Sequence, residues 1–232
     1  MKIIELHESV TASNDRDADA MRIAMKKQGT LLINLMSSPG SGKTTLLSST
    51  IRSLKDEMNI GVMEADIDSD VDAKRIETLG AHSIQVHTDG MCHMDAGMTQ
   101  AGLDAMEQKD MDLIFLENVG NLICPAEFDT GAGKNVMILS VPEGDDKPLK
   151  YPLMFSTSDV LVISKIDALP YFTFSLEECI KHVKRLNPGI QIFPLSAKSG
   201  EGVDAWNNWL RTEGETITMS GATVIESIGQ SS

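Results

Sequence analysis

The sequence predicts an α/β fold, a mainly parallel sheet flanked by helices on both faces, and three observations predict it. Short β-rich runs alternate with stretches of helical spacing through most of the chain. Most of the runs are nearly continuous in apolar residues, the pattern of strands covered on both faces. Strand–helix–strand order also favours parallel neighbours, because each helix carries the chain back to the edge where the previous strand began. The 232 residues allow one large domain or two small ones. No internal repeat and no Pro/Gly-rich linker divides them, so one domain is expected over residues 1–211.

In chain order, Leu31–Met36 (LLINLM) is the first strand and Lys43–Lys55 the first helix. Strand Ile60–Glu64, helix Asp70–Leu79, strand Ser83–His87 and helix Asp95–Gln108 follow. Strands Asp112–Glu117, Asn135–Val141 and Asp159–Ser164 then precede helix Ser175–Leu186, strand Gln191–Pro194 and helix Val203–Arg211. Ser175 with Glu178 forms a capping-box pattern, and Pro188-Gly189 punctuates the end of that helix. Residues 1–12 fall outside the alternation and form an N-terminal extension. Residues 212–232, rich in Ser, Thr and Gly with three Glu and no basic residue, are expected as a C-terminal tail, either mobile or carrying a short helix.

Composition removes several classes of function. With 41% apolar and 23% charged residues the chain can bury a sizeable core, which rules out wholesale disorder, a coiled coil and a collagen-like chain. No apolar run approaches the roughly 18 residues of a membrane span, and Lys2 is followed by only two apolar residues before Glu5. Neither a membrane helix nor a signal peptide is expected, so the default compartment is cytoplasmic. A net charge of −14 repels phosphate backbones and anionic lipid, so no nucleic-acid and no membrane partner is expected. Three cysteines, an odd number without an export signal, read as free or metal-binding thiols rather than a disulfide framework.

The strongest motif follows the first strand: Ser37-Ser38-Pro39-Gly40-Ser41-Gly42-Lys43-Thr44, then an apolar helix. Apart from Ser37 at the first glycine position, this is the P-loop pattern. Small residues Gly40, Ser41 and Gly42 let backbone N–H groups turn inward and cradle phosphates, and Thr45 extends the cradle. Lys43 reaches the β- and γ-phosphates as a catalytic group, and the Thr44 hydroxyl serves Mg²⁺. The fold class sharpens to a three-layer P-loop NTPase.

Strand two ends in Glu64-Ala65-Asp66, with Asp68, Asp70 and Asp72 after it. Carboxylates at the carboxyl edge of a parallel sheet suit Mg²⁺ or the attacking water. Asp66 is the candidate for the Mg²⁺ shell and Asp72 a catalytic candidate beside Lys43; other acids of the run cap a helix or solvate a loop. In Glu117-Asn118-Val119-Gly120 an acid precedes a glycine by three, which suits a γ-phosphate sensor, with Glu117 facing Mg²⁺ and the Gly120 N–H near phosphate. Ser164-Lys165-Ile166-Asp167 has the Lys and Asp of the guanine-reading Asn-Lys-x-Asp, with Ser in the Asn position. Ser196-Ala197-Lys198 after the next strand can meet the guanine carbonyl. The pair, in this order and at strand ends, favours GTP over ATP.

Met91-Cys92-His93-Met94-Asp95 and Cys124-Pro125 supply two thiols and an imidazole, ligands for Zn²⁺ or Ni²⁺ rather than Mg²⁺. Pattern alone leaves metal binding and buried packing of the thiols open. Three ligands from one chain would need water or a second chain to close a four-coordinate site. Cys179 and His182, on one helical face, read as packing.

These motifs resemble the hydrogenase nickel-incorporation GTPases (HypB) of the SIMIBI class of P-loop GTPases. The similarity runs from about residue 20 to 211 and rests on LLINLMSSPGSGKTTLL (31–47), DGMCHMDA (89–96), ENVGNLICP (117–125), VPEGDDKPLKYP (141–152), SKID (164–167) and SAKSGEG (196–202). The resemblance implies that Cys92, His93 and Cys124 are metal ligands at the interface of a nucleotide-dependent homodimer. It implies that Lys147 helps hold nucleotide. It also implies Mg²⁺-dependent conversion of GTP to GDP, coupled to nickel delivery in [NiFe]-hydrogenase maturation; with no obvious efficient base or arginine finger in the sequence, slow turnover is expected. The implied partners are a nickel metallochaperone and the hydrogenase large subunit. Ser164 departs from the family Asn. The N-terminus MKIIELHESV has neither the cysteine-rich nickel motif of some members nor a His-rich tract. The rival functions are a urease-type accessory GTPase, whose relatives carry Cys-Pro-His instead, and a zinc or nickel storage-sensing module with structural nucleotide.

Overall fold

The computed structural model describes the backbone of residues 6–66, 76–106 and 110–229, and the side chains of 12–65, 76–106 and 110–221. Its centre is a seven-stranded sheet in the order β3-β2-β4-β1-β5-β6-β7, with every neighbouring pair parallel. The strands are β1 (Leu31–Ser37), β2 (Ile60–Asp66), β3 (His82–His87), β4 (Leu113–Glu117), β5 (Lys134–Ser140), β6 (Val160–Ser164) and β7 (Gln191–Pro194). All seven lie within two residues of the runs that the apolar pattern marks. The helices are α1 (Leu6–Gln28), α2 (Lys43–Leu54), α3 (Ala96–Ala105), α4 (Cys124–Glu127), α5 (Lys147–Lys150), α6 (Pro152–Ser156), α7 (Leu176–Leu186) and α8 (Val203–Gly229), with 3-10 turns at Val141–Glu143 and Ile166–Tyr171. Most of the expected helix over 70–79 lies outside the described residues.

Strand alternation divides the core into layers. Leu31, Ile33 and Leu35 of β1 face α2 and α8, where Leu47, Ile51, Trp206 and Leu210 are buried with them. Leu32 faces the other way, into a methionine-rich layer with Met21 and Met25 of α1. Farther along the same face, Met36, Met137, Phe155, Cys179 and Val183 form a third cluster under α6 and α7. Cys179 is therefore a core residue, and burial pushes its thiol up to about 12.

Two helices extend beyond the strand–helix alternation. Helix α1 packs against α3 and α8, and α8 continues through the stretch expected as a tail, to Gly229. The reason is a close helix contact. A Cβ on Gly221 would stand 2.7 Å from the Lys26 carbonyl oxygen, so only glycine lets α8 approach the end of α1. The hydroxyls of Thr212, Thr216 and Ser220 donate to carbonyls four residues back, which absorbs polar groups that composition assigns to a loop. Among the described residues no helix is long and apolar enough to cross a membrane.

Candidate functional site

The phosphate cradle lies where β1, the middle strand, meets α2. Gly42 caps α2 at φ 104°, a left-handed conformation, and no side chain caps the helix, so its first N–H groups point at the cavity in front of it. That cavity is about 650 Å³ and is lined by Pro39 through Thr45, Glu64, Ala65, Glu117 through Gly120 and Lys165. Lys43 Nζ donates to Ser37 Oγ at 2.8 Å, so the serine at the first glycine position gives the lysine an acceptor. Ser37 Oγ donates in turn to the Ser38 carbonyl.

Thr44 Oγ1 donates to Glu117 Oε1 at 3.1 Å. Glu64, which the sequence presents only as the first acid of a strand end, is 4% exposed, stands opposite Glu117 in the β2–β4 register and lines the same cavity. One hydroxyl and two carboxylates are hard oxygen donors, a set that fits Mg²⁺. Asp66 ends β2, but its side chain, and all of Asp72, lie outside the described residues. Gly120 has a steric role: a Cβ there would sit 2.9 Å from Pro39 Cγ and 3.1 Å from Pro39 N, so the segment after β4 rests directly on the P-loop.

The loops after β6 and β7 lie side by side, as their strands do, and the Ile166 N–H donates to the Leu195 carbonyl. Ser164, 5% exposed, donates its hydroxyl to the Ser41 carbonyl at 2.7 Å, and Lys165 Nζ donates to the Gly40 carbonyl at 2.7 Å. Ser164 thus ties the base-side loop to the P-loop through a short buried bond. Asp167 is exposed in the turn beyond, Ala197 is half-buried and Lys198 is exposed. Ser196 is buried and its Oγ accepts from the Ser199 N–H. Lys147 is not brought to the cavity wall; its ammonium sits 5.2 Å above the Tyr151 ring at the end of its own short helix.

Cys92, His93 and Cys124 converge, with ligand atoms within 4.8 Å of one another, the one such cluster of three or more His, Cys, Asp or Glu among the described residues. The two sulfurs are 2.7 Å apart and Cys92 Sγ is 3.9 Å from His93 Nδ1. The ring of His93 stacks on Phe128 at 3.8 Å and its Nε2 is buried without a hydrogen-bond partner. Burial holds this imidazole below its ordinary pKa, against the pull of Asp95 and Glu127. The hydrogen bond with Cys92 and burial push the Cys124 thiol up. Two sulfurs and a neutral imidazole nitrogen suit Zn²⁺ or Ni²⁺.

Helix α1 braces this cluster, a function for which residues 6–28 carry no motif. Asn14 accepts from the Ala96 N–H at 2.9 Å and donates to the Asp129 carbonyl at 2.9 Å, spanning the two cysteine loops. Arg22 forks onto Asp129 at 2.8 and 2.7 Å.

A phosphate cradle after the middle strand of an all-parallel sheet defines a P-loop nucleotide-binding protein, here with a thiol–imidazole cluster on the adjoining loop. The CobW/HypB/UreG nucleotide-binding domain matches residues 31–194, and the chain belongs to that family. It is 45% identical over 212 residues to the hydrogenase maturation factor HypB of Escherichia coli K12, covering 91% of this chain and 73% of that one. It is 41% identical over 206 residues to the hydrogenase/urease maturation factor HypB of Helicobacter hepaticus, covering 87% and 84%. The crystal structure of HypB from Helicobacter pylori in complex with nickel superposes with a TM-score of 0.83 at 36% identity, covering 88% of this chain and 96% of that one. Nucleotide binding and, in general terms, nucleotide hydrolysis go with the family.

Proposed function

We propose that this chain is a GTP-hydrolysing switch that delivers nickel during [NiFe]-hydrogenase maturation, with a nickel metallochaperone and the hydrogenase large subunit as partners and a cytoplasmic location. The observation that carries the proposal is one short segment, Glu117–Cys124. It lines the phosphate cavity at one end and contributes a thiol to the cluster at the other. In this mechanism the N–H groups of residues 40–45 hold the phosphates, and Lys43 leaves Ser37 to neutralise charge developing on the β/γ-bridge. Thr44 and Glu117, with Asp66, would hold Mg²⁺, which would supply charge neutralisation on the phosphates. Asp72 attends the water, and Gly120 senses the γ-phosphate.

Asp167 reads guanine, with Ser196–Lys198 at its carbonyl edge and Lys165 beside the P-loop. Among the described residues no arginine lines the phosphate cavity to act as a finger, and slow turnover is expected. The nickel ion is cargo, held by Cys92, His93 and Cys124; a second copy of the chain completes its shell. The donor set suits Zn²⁺ equally, which keeps a storage-sensing role as the alternative. A urease-type role is the other, favoured by the name of the Helicobacter hepaticus relative.

Calorimetry with GTP, ATP and XTP tests the base assignment. Wild type should prefer GTP, and Asp167→Asn should shift preference toward XTP. Equal binding of ATP and GTP by wild type would remove it. Metal release that ignores nucleotide state would leave the storage role instead.

A further inference from the structure

We infer that Asn118 is the positioning residue through which nucleotide state reaches the thiol–imidazole cluster; this rests on the switch function proposed above. Asn118 is 1% exposed and stands between two loops. Its Oδ1 accepts from the Met94 N–H at 3.2 Å and from the Val119 N–H at 2.9 Å. Met94 directly follows His93, so the first donor belongs to the peptide that carries the His93 carbonyl. The second donor lies beside Gly120, the residue that rests on Pro39 in the phosphate cavity. A single buried oxygen therefore holds the metal loop and the phosphate-facing loop together.

The amide is itself held from behind. Asn118 Nδ2 donates to Asn34 Oδ1 at 3.0 Å, and Asn34 Nδ2 donates to Asn135 Oδ1 at 3.0 Å. Asn34 is 1% exposed in β1, and the Asn118 N–H donates to the Leu35 carbonyl at 3.0 Å, so the row of amides is anchored to the middle of the sheet. Asn34 fixes the nitrogen end of Asn118, which leaves the oxygen end for Met94 and Val119. In a buried setting such bonds are costly to leave unmade, so a shift of the Asn118–Val119 peptide as Gly120 moves toward a γ-phosphate must be answered at Met94. Two other routes among the described residues are looser. The covalent path to Cys124 runs through Ile123, which is 57% exposed, and the Asn121 Nδ2 contact with the Cys92 carbonyl is at 3.5 Å.

The test is nickel titration of the full chain with GDP and with a non-hydrolysable GTP analogue, in wild type and Asn118→Ala. Wild type should show affinities that differ by about tenfold between the two states. Asn118→Ala should bring that ratio close to one while keeping nickel stoichiometry, which a purely structural role would not do. An unchanged ratio in Asn118→Ala overturns the inference alone; a ratio of one in wild type removes the switch itself and the inference with it. If the variant does not fold, hydrogen exchange in metal-free wild type decides. The Met94 amide should change protection between the nucleotide states, while the Ala96 amide, held by Asn14, should not. A Met94 amide indifferent to nucleotide overturns the inference.

Discussion

Lys43 shows how much of the site one side chain carries. Its ammonium donates to Ser37 Oγ at 2.8 Å inside the phosphate cavity, so the group is already positioned before a phosphate arrives. Lys43→Ala should lower GTP turnover by about 10²–10³-fold, the scale of losing one charge-stabilising donor in the transition state. Ser37 keeps its bond to the Ser38 carbonyl, so the thermal midpoint of the ligand-free chain should hardly move. Single-turnover hydrolysis with calorimetric unfolding on the same sample checks both halves. Turnover unchanged in a folded variant would remove Lys43 from the mechanism. Ser164 makes a related point about substitution. Its side chain is shorter than the Asn of the guanine motif, and its hydroxyl donates to the Ser41 carbonyl at 2.7 Å, so it ties the base-side loop to the P-loop. The pattern of residue types shows the departure, and only the distance shows the tie.

Helix α1 has a job that its sequence does not announce. Arg22 and Asn14 reach Asp129 and Ala96, about a hundred residues away in sequence, and such contacts leave no local periodicity. The strands were legible because burial on both faces forces continuous apolar runs, and the P-loop because phosphate geometry forces small residues and a lysine at fixed spacing. Helix α8 beyond Arg211 was not legible, because Gly221 and the back-bonded Thr216 and Ser220 look like loop chemistry until α1 is beside them. The cluster's three ligands were legible as residue types, but their convergence was not. The α1 brace gives a pH-dependent prediction. Burial pushes Asp129 up, but the Arg22 fork and the Gly131 N–H outweigh it and hold the carboxyl below its ordinary range. A depressed carboxyl adds stability above its unfolded pKa of about 3.9 and loses it as pH falls through the folded value. Arg22→Ala should therefore cost about 1 kcal/mol at pH 7, discounted for a partly exposed pair, or about 2–4 °C in midpoint. The difference from wild type should close as pH drops below about 4. Thermal scans from pH 7 to pH 3 check it, and a gap that stays constant would mean that packing of the arginine stem, not its charge, carries the contribution.

At the scale of the whole molecule, the phosphate cavity, the base-side loops and the cysteine cluster all sit beyond the carboxyl ends of one parallel sheet, where loops from neighbouring strands meet. The same edge carries exposed apolar side chains next to the cluster: Ile123, 57% exposed, precedes Cys124, and Met91, 37% exposed, precedes Cys92. Three ligands and an apolar rim suit closure by a second copy of the chain, and that is the homodimer proposed for the nucleotide-bound, metal-loaded state. Global charge opposes it. Two chains of net charge −14 repel one another at long range, and salt screens that repulsion over a Debye length of about 10 Å at 0.1 M. Dimerisation with nickel and a GTP analogue should therefore tighten as salt rises from about 20 to about 200 mM, the reverse of a dimer held by surface ion pairs. Ile123→Asp would place a carboxylate at the apolar rim and should weaken dimerisation by tenfold or more, about 1.4 kcal/mol or above. Nickel should still bind the monomer, because none of Cys92, His93 and Cys124 is altered. Sedimentation velocity over the salt series, with nickel content measured across the boundary, checks both expectations. A dimer that loosens with salt and ignores Ile123→Asp would have to form through another, charge-complementary face, leaving the cluster to close with water.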